Sequence, residues 1–192
     1  MNRGCIIGIV GVLVVALIVA GILVSGYNKA VRLDEQVSEK WAQVENQLKR
    51  RFDLIPNLVT TVKGYAAHEK ELFENVAEAR TRYFQAGNVA DKAAAAGTVE
   101  RALSRLLMLQ ERYPDLKANE SFLKLQDELA GTENRIAVER MRYNEAVKAV
   151  NTYRREFIGR SFCSWAGIEQ AEYFEIPEAQ KETAQEAPKV EF

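Results

Sequence analysis

The residues that could carry chemistry are few and lie mainly in one short stretch. Arg50, Arg51 and Asp53 stand together just ahead of Pro56 and Asn57. Two cations beside a carboxylate can form an anion-binding site, or they can cap a helix and pair with neighbouring charges. The second use is the commoner one, so we interpret this group as structural first and as a binding site second.

Metal and nucleophile sites find little support in the sequence. His68 is followed by Glu69, but Leu72 stands where the zinc-protease motif needs its second histidine. The single histidine of the chain cannot complete a nitrogen-rich metal site. Neither a glycine-rich phosphate loop nor a serine or cysteine triad can be assembled. We therefore predict no catalytic residue, no metal and no cofactor.

Two asparagines lie one heptad apart. Asn144 and Asn151 stand beside an apolar series, and a spacing of seven residues puts both on one helix face. We predict that they form hydrogen bonds inside a helical bundle and fix its register. A role in ligand binding is the alternative.

An apolar run occupies Ile6–Val24 and contains no charge, amide or proline. As a helix it spans about 28 Å, close to the hydrocarbon thickness of a bilayer. A cleaved signal peptide is the competing interpretation, but its apolar core is about 7–15 residues long. We predict a retained anchor, with the lipid bilayer as partner of residues 6–24, in a single-pass cell-membrane protein. Basic residues flank the run on both sides, so the side of the soluble domain stays open.

One stripe of the anchor, at every fourth position, contains small residues at four of its five places: Gly4, Gly8, Val12, Ala16 and Ala20. This spacing lets membrane helices approach closely, so a homo-oligomer is one possible assembly. The alternative, which we prefer, is that glycine and alanine are simply common in membrane helices.

The remaining sequence has helical periodicity throughout. Apolar residues recur at intervals of three and four, and no stretch alternates with the period of a strand. The last helix carries a heptad series: Phe122, Leu129, Ile136, Tyr143, Val150 and Phe157. We predict an all-α protein in which an up-and-down four-helix bundle follows the transmembrane helix.

Pro56 allows two local structures. A long helix can kink there, or a first helix can end near Phe52 and a second begin with Asp53 as N-cap. In the second case Pro56 lies in the first turn, where its missing N–H costs nothing. We favour the turn, because an antiparallel bundle needs one.

Composition divides the chain into four parts. Residues 1–26 form the anchor and residues 27–159 the bundle. Residues 160–176 form an aromatic segment, which we place near the membrane because Phe162, Trp165, Tyr173 and Phe174 include types that favour the membrane–water interface. Residues 177–192 are rich in glutamate, glutamine, alanine and proline, which predicts a disordered tail.

The tail ends in an apolar pattern. Val190 and Phe192 are separated by one residue, the arrangement that PDZ-type domains read when they add a strand to a sheet edge. A protein partner that reads this C-terminus is therefore one hypothesis. A chance match, or packing of the tail on the bundle, is the other.

These motifs resemble the LemA family of bacterial membrane proteins over nearly the whole chain. The resemblance is carried by Arg50–Val59 (RRFDLIPNLV), Tyr113–Ala118, Gly131–Ile136, Arg142–Asn144 and Ala187–Phe192. It implies a four-helix bundle on a membrane anchor and supports the turn at Asp53, but it implies no reaction. The chain departs from the family after Phe157, where Ile158-Gly159-Arg160 replaces the usual proline.

Two classes of function fit these observations. A net charge of −1, with basic and acidic residues interleaved, does not favour nucleic-acid binding. We favour a membrane-tethered, non-enzymatic interaction or scaffolding protein. The alternative is a ligand sensor or enzyme with a site in the bundle or at its Arg50–Asp53 end.

Overall fold

The computed structural model describes residues 3–175, with side chains from residue 10 onward, and confirms the all-α class. The helices, in chain order, are α1 (Arg3–Lys63), α2 (Lys70–Gln85), α3 (Val89–Met108), α4 (Pro114–Lys117), α5 (Glu120–Arg155) and α6 (Phe157–Trp165). A 3₁₀ turn covers Leu109–Glu111. The predicted tail, including Val190 and Phe192, lies outside the described residues.

The chain forms two compact units. Among the described residues, the anchor unit comprises residues 3–41 and 145–171, and the bundle unit comprises residues 42–144 and 172–175. Helices α1 and α5 each contribute one part to either unit. The predicted boundaries after residues 26 and 159 stay predictions.

Helix α1 continues through Pro56, so the predicted turn at Asp53 is wrong. The helix extends without interruption to Lys63, and the chain turns at residues 64–69 before α2 begins. A proline inside a helix removes one hydrogen bond, the bond to the carbonyl four residues earlier. Here that acceptor is the carbonyl of Phe52, and it receives another donor from α2, as described below.

Four helical segments build the core of the bundle unit. Side chains of α1 are buried at intervals of three and four residues, the spacing of one helix face. They are Val44, Leu48, Phe52, Ile55, Leu58 and Val62. Asn88 caps α3 by accepting from the backbone N–H of Asp91 at 2.7 Å, and Pro114 begins the short α4.

The heptad series of α5 ends earlier than predicted. Its first five members, Phe122 to Val150, are buried, whereas Phe157 is 95% exposed. The cause is Glu156, whose extended backbone (φ −66°, ψ 148°) separates α5 from α6. Because the helix is interrupted, Phe157 no longer shares the buried face of the residues that precede it by multiples of seven.

In the anchor unit, α6 packs on α1 at Gly26. A β-carbon at Gly26 would lie 2.0 Å from the ring of Phe162, so only a glycine fits this contact. The hydroxyl of Tyr153 donates to the carbonyl of Gly26 at 3.0 Å. Phe162 and Cys163 are buried here together with Ala30, Val150 and Ile168.

The apolar part of α1 is the one segment of the described chain that is long and apolar enough to cross a membrane. Its most apolar stretch of 18 residues has a mean hydropathy of 2.5 and is not buried by any other described part of the protein.

Of the four aromatic residues predicted near the membrane, Phe162 and Phe174 are buried within the protein, whereas Trp165 and Tyr173 are exposed.

Candidate functional site

Arg51 is the centre of a charged cluster inside the bundle unit. Its side chain is buried, with 6% of the residue exposed. The guanidinium pairs with Glu100 of α3 at 2.7 Å and with Glu133 of α5. An arginine with this burial needs such partners, because an unpaired buried charge is strongly destabilising. The sequence placed Arg51 in an ion pair, but it did not reveal either partner.

A cavity of about 160 Å³ lies beside this cluster. Leu48, Phe52, Arg140 and Phe174 are among the residues that line it. The Nε atom of Arg51 is buried and has no hydrogen-bond partner in the described structure. Such a site can hold a water molecule or a small polar group that accepts one hydrogen bond.

Arg140 completes the charge balance of the cavity. Burial lowers the pKa of its guanidinium, and the nearby carboxylate of Glu100 acts in the opposite direction. The guanidinium also lies over the ring of Phe174, 4.3 Å from its centre. Two arginines thus face two glutamates, so the cavity has no excess of either charge.

Asp53 and Pro56 belong to a second arrangement, which is centred on Arg80 of α2. The Nε atom of Arg80 donates to the carbonyl of Phe52 at 3.3 Å, the acceptor that Pro56 leaves without its helical partner. A terminal nitrogen of the same guanidinium lies 3.7 Å from the carboxylate of Asp53. Arg80 therefore replaces the missing backbone donor, a role that the sequence did not reveal.

This arrangement predicts a coupling between Arg80 and Pro56. Arg80→Ala should lower the free energy of unfolding by about 1–2 kcal/mol, because it leaves the Phe52 carbonyl without a donor. In a Pro56→Ala background the restored backbone N–H can bond that carbonyl, so the same substitution should cost about 1 kcal/mol less. Urea denaturation of the four proteins measures this difference. Equal costs in the two backgrounds would contradict the assignment.

The two asparagines of α5 bind backbone, not another helix. The side-chain amide of Asn144 donates to the carbonyl of Phe174 at 3.1 Å and accepts from its N–H at 2.9 Å. Asn151 forms the same pair of bonds with Ala171, at 2.9 and 3.0 Å. The two asparagines are seven helical residues apart, and their partners Ala171 and Phe174 are three residues apart in extended chain. Both separations are about 10 Å, so the heptad spacing matches the spacing of the two partners. Each amide thus holds one residue of the chain that follows α6.

Loss of either amide should release the residue that it holds. Asn151→Ala should lower the free energy of unfolding by about 1–2 kcal/mol and accelerate hydrogen exchange at the backbone N–H of Ala171. Asn144→Ala should act in the same way on Phe174. The exposed Asn134 on the same helix offers a control, since Asn134→Ala should leave both amides protected. Unchanged exchange in the first two variants would contradict this role.

Tyr143 holds the same segment through its hydroxyl, which donates to the carbonyl of Glu172 at 2.7 Å. Burial, followed by the charge of Glu172, raises the pKa of Tyr143 to about 12. Because the pKa of Tyr143 is higher in the folded protein than in the unfolded chain, the neutral side chain stabilises the fold. This stabilisation is complete below pH 10, the ordinary tyrosine pKa, and is lost as the pH rises through 12. Between pH 10 and pH 12, the free energy of unfolding measured by denaturation should fall more steeply with pH for the unmodified chain than for Tyr143→Phe. Equal dependence on pH in the two proteins would contradict the prediction.

The other predicted residues lie at the surface. Arg50 and Asn57 are exposed on α1, and the carbonyl of Asn57 accepts from the hydroxyl of Thr61 at 2.9 Å. His68 is exposed as well. Within residues 3–175, histidine, cysteine and acidic side chains form no group that could hold a metal ion. Of the five polar and proline positions predicted in the signature, only Arg51 is buried. The exposed Asp53 and Pro56 lie at the Arg80 contact, and the exposed Arg50 and Asn57 lie elsewhere on α1.

Comparison with known proteins gives one family and a small group of relatives. The model of the LemA family matches residues 40–192. The chain is similar to magnetosome proteins MamQ 1 and MamQ 2 of Paramagnetospirillum magneticum, with 25% identity over 87% of this chain and 71% of each relative. It is also similar to magnetosome protein MamQ of Magnetospirillum gryphiswaldense, with 24% identity over 79% of this chain and 65% of the relative.

Proposed function

Because this chain belongs to the LemA family, and because α1 carries a membrane-length apolar run, we propose that it is a membrane-tethered, non-enzymatic interaction protein. In this proposal the apolar run of residues 6–24 makes a single pass through the cell membrane. The bundle unit then serves as the scaffold to which other molecules bind.

The continuity of α1 supports the proposal most directly. One helix of 61 residues contains both the apolar run and the signature residues Arg50–Val59. The apolar run and the signature are therefore joined by helix and not by a flexible linker. Parts of the signature serve this construction. The buried Arg51 joins three helices, and Arg80 of α2 supports α1 at the exposed Pro56.

The cavity beside Arg51 favours a second candidate function, that of a ligand sensor. Arg51, whose buried Nε atom has no hydrogen-bond partner in the described structure, lines this cavity, and the other walls come from α1, α3, α5 and Phe174. The charge balance of two arginines and two glutamates points to a neutral or dipolar ligand.

Crosslinking of the full-length protein in native membranes, followed by mass spectrometry, tests the scaffold proposal. We expect specific proteins to crosslink to exposed residues of the bundle unit. The same proteins should be recovered with Arg51→Met/Glu100→Gln/Glu133→Gln, which removes the charges of the cluster while keeping similar side-chain volumes. If the unmodified chain crosslinks to no other protein, the scaffold proposal fails.

A changed partner set in the triple variant would favour the sensor. The control is a variant with charges removed elsewhere on the same helices, Arg101→Gln/Arg135→Gln, both exposed. It should leave the partners unchanged under either function. A homo-oligomer and a partner that reads Val190 and Phe192 remain further proposals, and the same experiment detects both.

A further inference from the structure

Helix α6 presents an unusual combination of exposed side chains. Trp165 is 64% exposed, and the apolar side chains of Phe157 and Ile158 are exposed as well. The arginines Arg155 and Arg160 are also exposed, at the end of α5 and within α6. We call these five residues the α6 face. We propose that the α6 face lies in the headgroup layer of the membrane and binds anionic phospholipid.

The position of α6 along α1 supports this assignment. The ring of Phe162 packs on Gly26, which is two residues beyond Val24, the last residue of the apolar run. Two helical residues advance about 3 Å, whereas the headgroup layer on each side of the hydrocarbon is roughly 5–8 Å thick. This inference rests on the proposed function, because it requires that residues 6–24 span the bilayer. Under that condition the contact places α6 at the depth of the headgroups.

Trp165 is tied to the same level by a direct contact. Its ring meets the ring of Phe162 edge-on, with 5.7 Å between the ring centres. The contact uses one side of the indole and leaves the rest of the side chain exposed. Tryptophan favours the membrane–water interface, because its ring is apolar while its N–H needs a polar partner. An exposed tryptophan in this position therefore has a suitable environment in the headgroup layer.

The charges near the α6 face identify the class of lipid. Arg154, Arg155 and Arg160 outnumber the acids near α6, which are Glu156 and, on α1, Asp34 close to Cys163. On α1, Lys29 lies over the ring of Tyr153, 4.2 Å from its centre, so another cation is held at this level. Basic side chains beside exposed apolar ones are typical of helices that bind anionic membrane surfaces.

Depth-dependent fluorescence quenching in nanodiscs tests the position of Trp165. The full chain with Trp41→Phe reports Trp165 alone, and the chain with Trp165→Phe reports Trp41 as a control. Trp41 lies about 25 Å further along α1 than Val24, beyond the reach of lipid quenchers. Bromine placed high on the acyl chains should quench Trp165 by about half or more and leave Trp41 unchanged.

The lipid class is tested by comparing nanodiscs of phosphatidylcholine alone with nanodiscs that also contain phosphatidylglycerol. The anionic lipid should increase the quenching of Trp165. Arg155→Gln/Arg160→Gln should abolish this increase, since each arginine near an anionic surface changes binding by about fivefold. The matched control Arg101→Gln/Arg105→Gln on α3 removes two exposed arginines of the bundle unit and should preserve the increase.

Alkaline-carbonate extraction of the same variants separates this inference from the proposed function. If the protein is released from the membrane, the tether itself fails. If the protein is retained but Trp165 is not quenched, the tether stands and the position of the α6 face is wrong. Two results would overturn the assignment of anionic lipid. One is quenching of Trp165 that phosphatidylglycerol does not increase. The other is an increase with phosphatidylglycerol that is still present in Arg155→Gln/Arg160→Gln.

Discussion

Arg51→Met is expected to lower the free energy of unfolding by about 2–3 kcal/mol. The substitution removes the buried cation that joins α1 to α3 and α5 through Glu100 and Glu133. Breaking a fully buried pair costs about 3–5 kcal/mol. The expected loss is smaller here, because the side chains of Glu100 and Glu133 are 47% and 44% exposed and water can solvate them again. Urea denaturation followed by helical circular dichroism measures the change.

Two further variants show whether the loss comes from the buried charge. Arg50→Met removes the neighbouring cation, which is exposed, and should change stability by no more than about 0.5 kcal/mol. Arg51→Met combined with Glu100→Gln and Glu133→Gln should recover part of the loss, because no carboxylate is then left without its partner. If Arg51→Met and Arg50→Met destabilised the protein equally, the cluster would not have the structural role that we assign to it.

Gly159→Ala should strongly destabilise the protein, because the added methyl group would meet backbone atoms. A β-carbon at this position would lie 2.1 Å from the carbonyl oxygen of Tyr153, and that atom belongs to the backbone of α5. Backbone cannot move aside as a flexible side chain does, so the corner between α5 and α6 must open. We expect a loss of about 3 kcal/mol or more. Hydrogen exchange should accelerate across Phe157–Trp165.

Gly87→Ala is the matched control for this substitution. A β-carbon at Gly87 meets no atom within 4 Å, so the added methyl group should change stability by about 0.5 kcal/mol or less. If Gly159→Ala behaved like Gly87→Ala, the close approach of α6 to α5 would not exist as described.

The sequence by itself determined the features that depend on spacing along the chain. Helical periodicity identified the all-α class, since the buried faces of α1 and of α5 up to Val150 follow their intervals of apolar residues. The long apolar run of α1 followed from composition alone. The signature residues identified the family. Each of these properties is local, so neighbouring residues are sufficient to predict it.

Only the tertiary structure decided where the helices end and what the polar residues bind. Pro56 does not break α1, because the donor that compensates for it is Arg80, 24 residues later in the chain. Glu156 interrupts α5 although the heptad series continues to Phe157. Asn144 and Asn151 bind Phe174 and Ala171, backbone groups 30 and 20 residues away. Such partners are brought together by packing between distant segments, so the spacing of residues along one segment does not identify them.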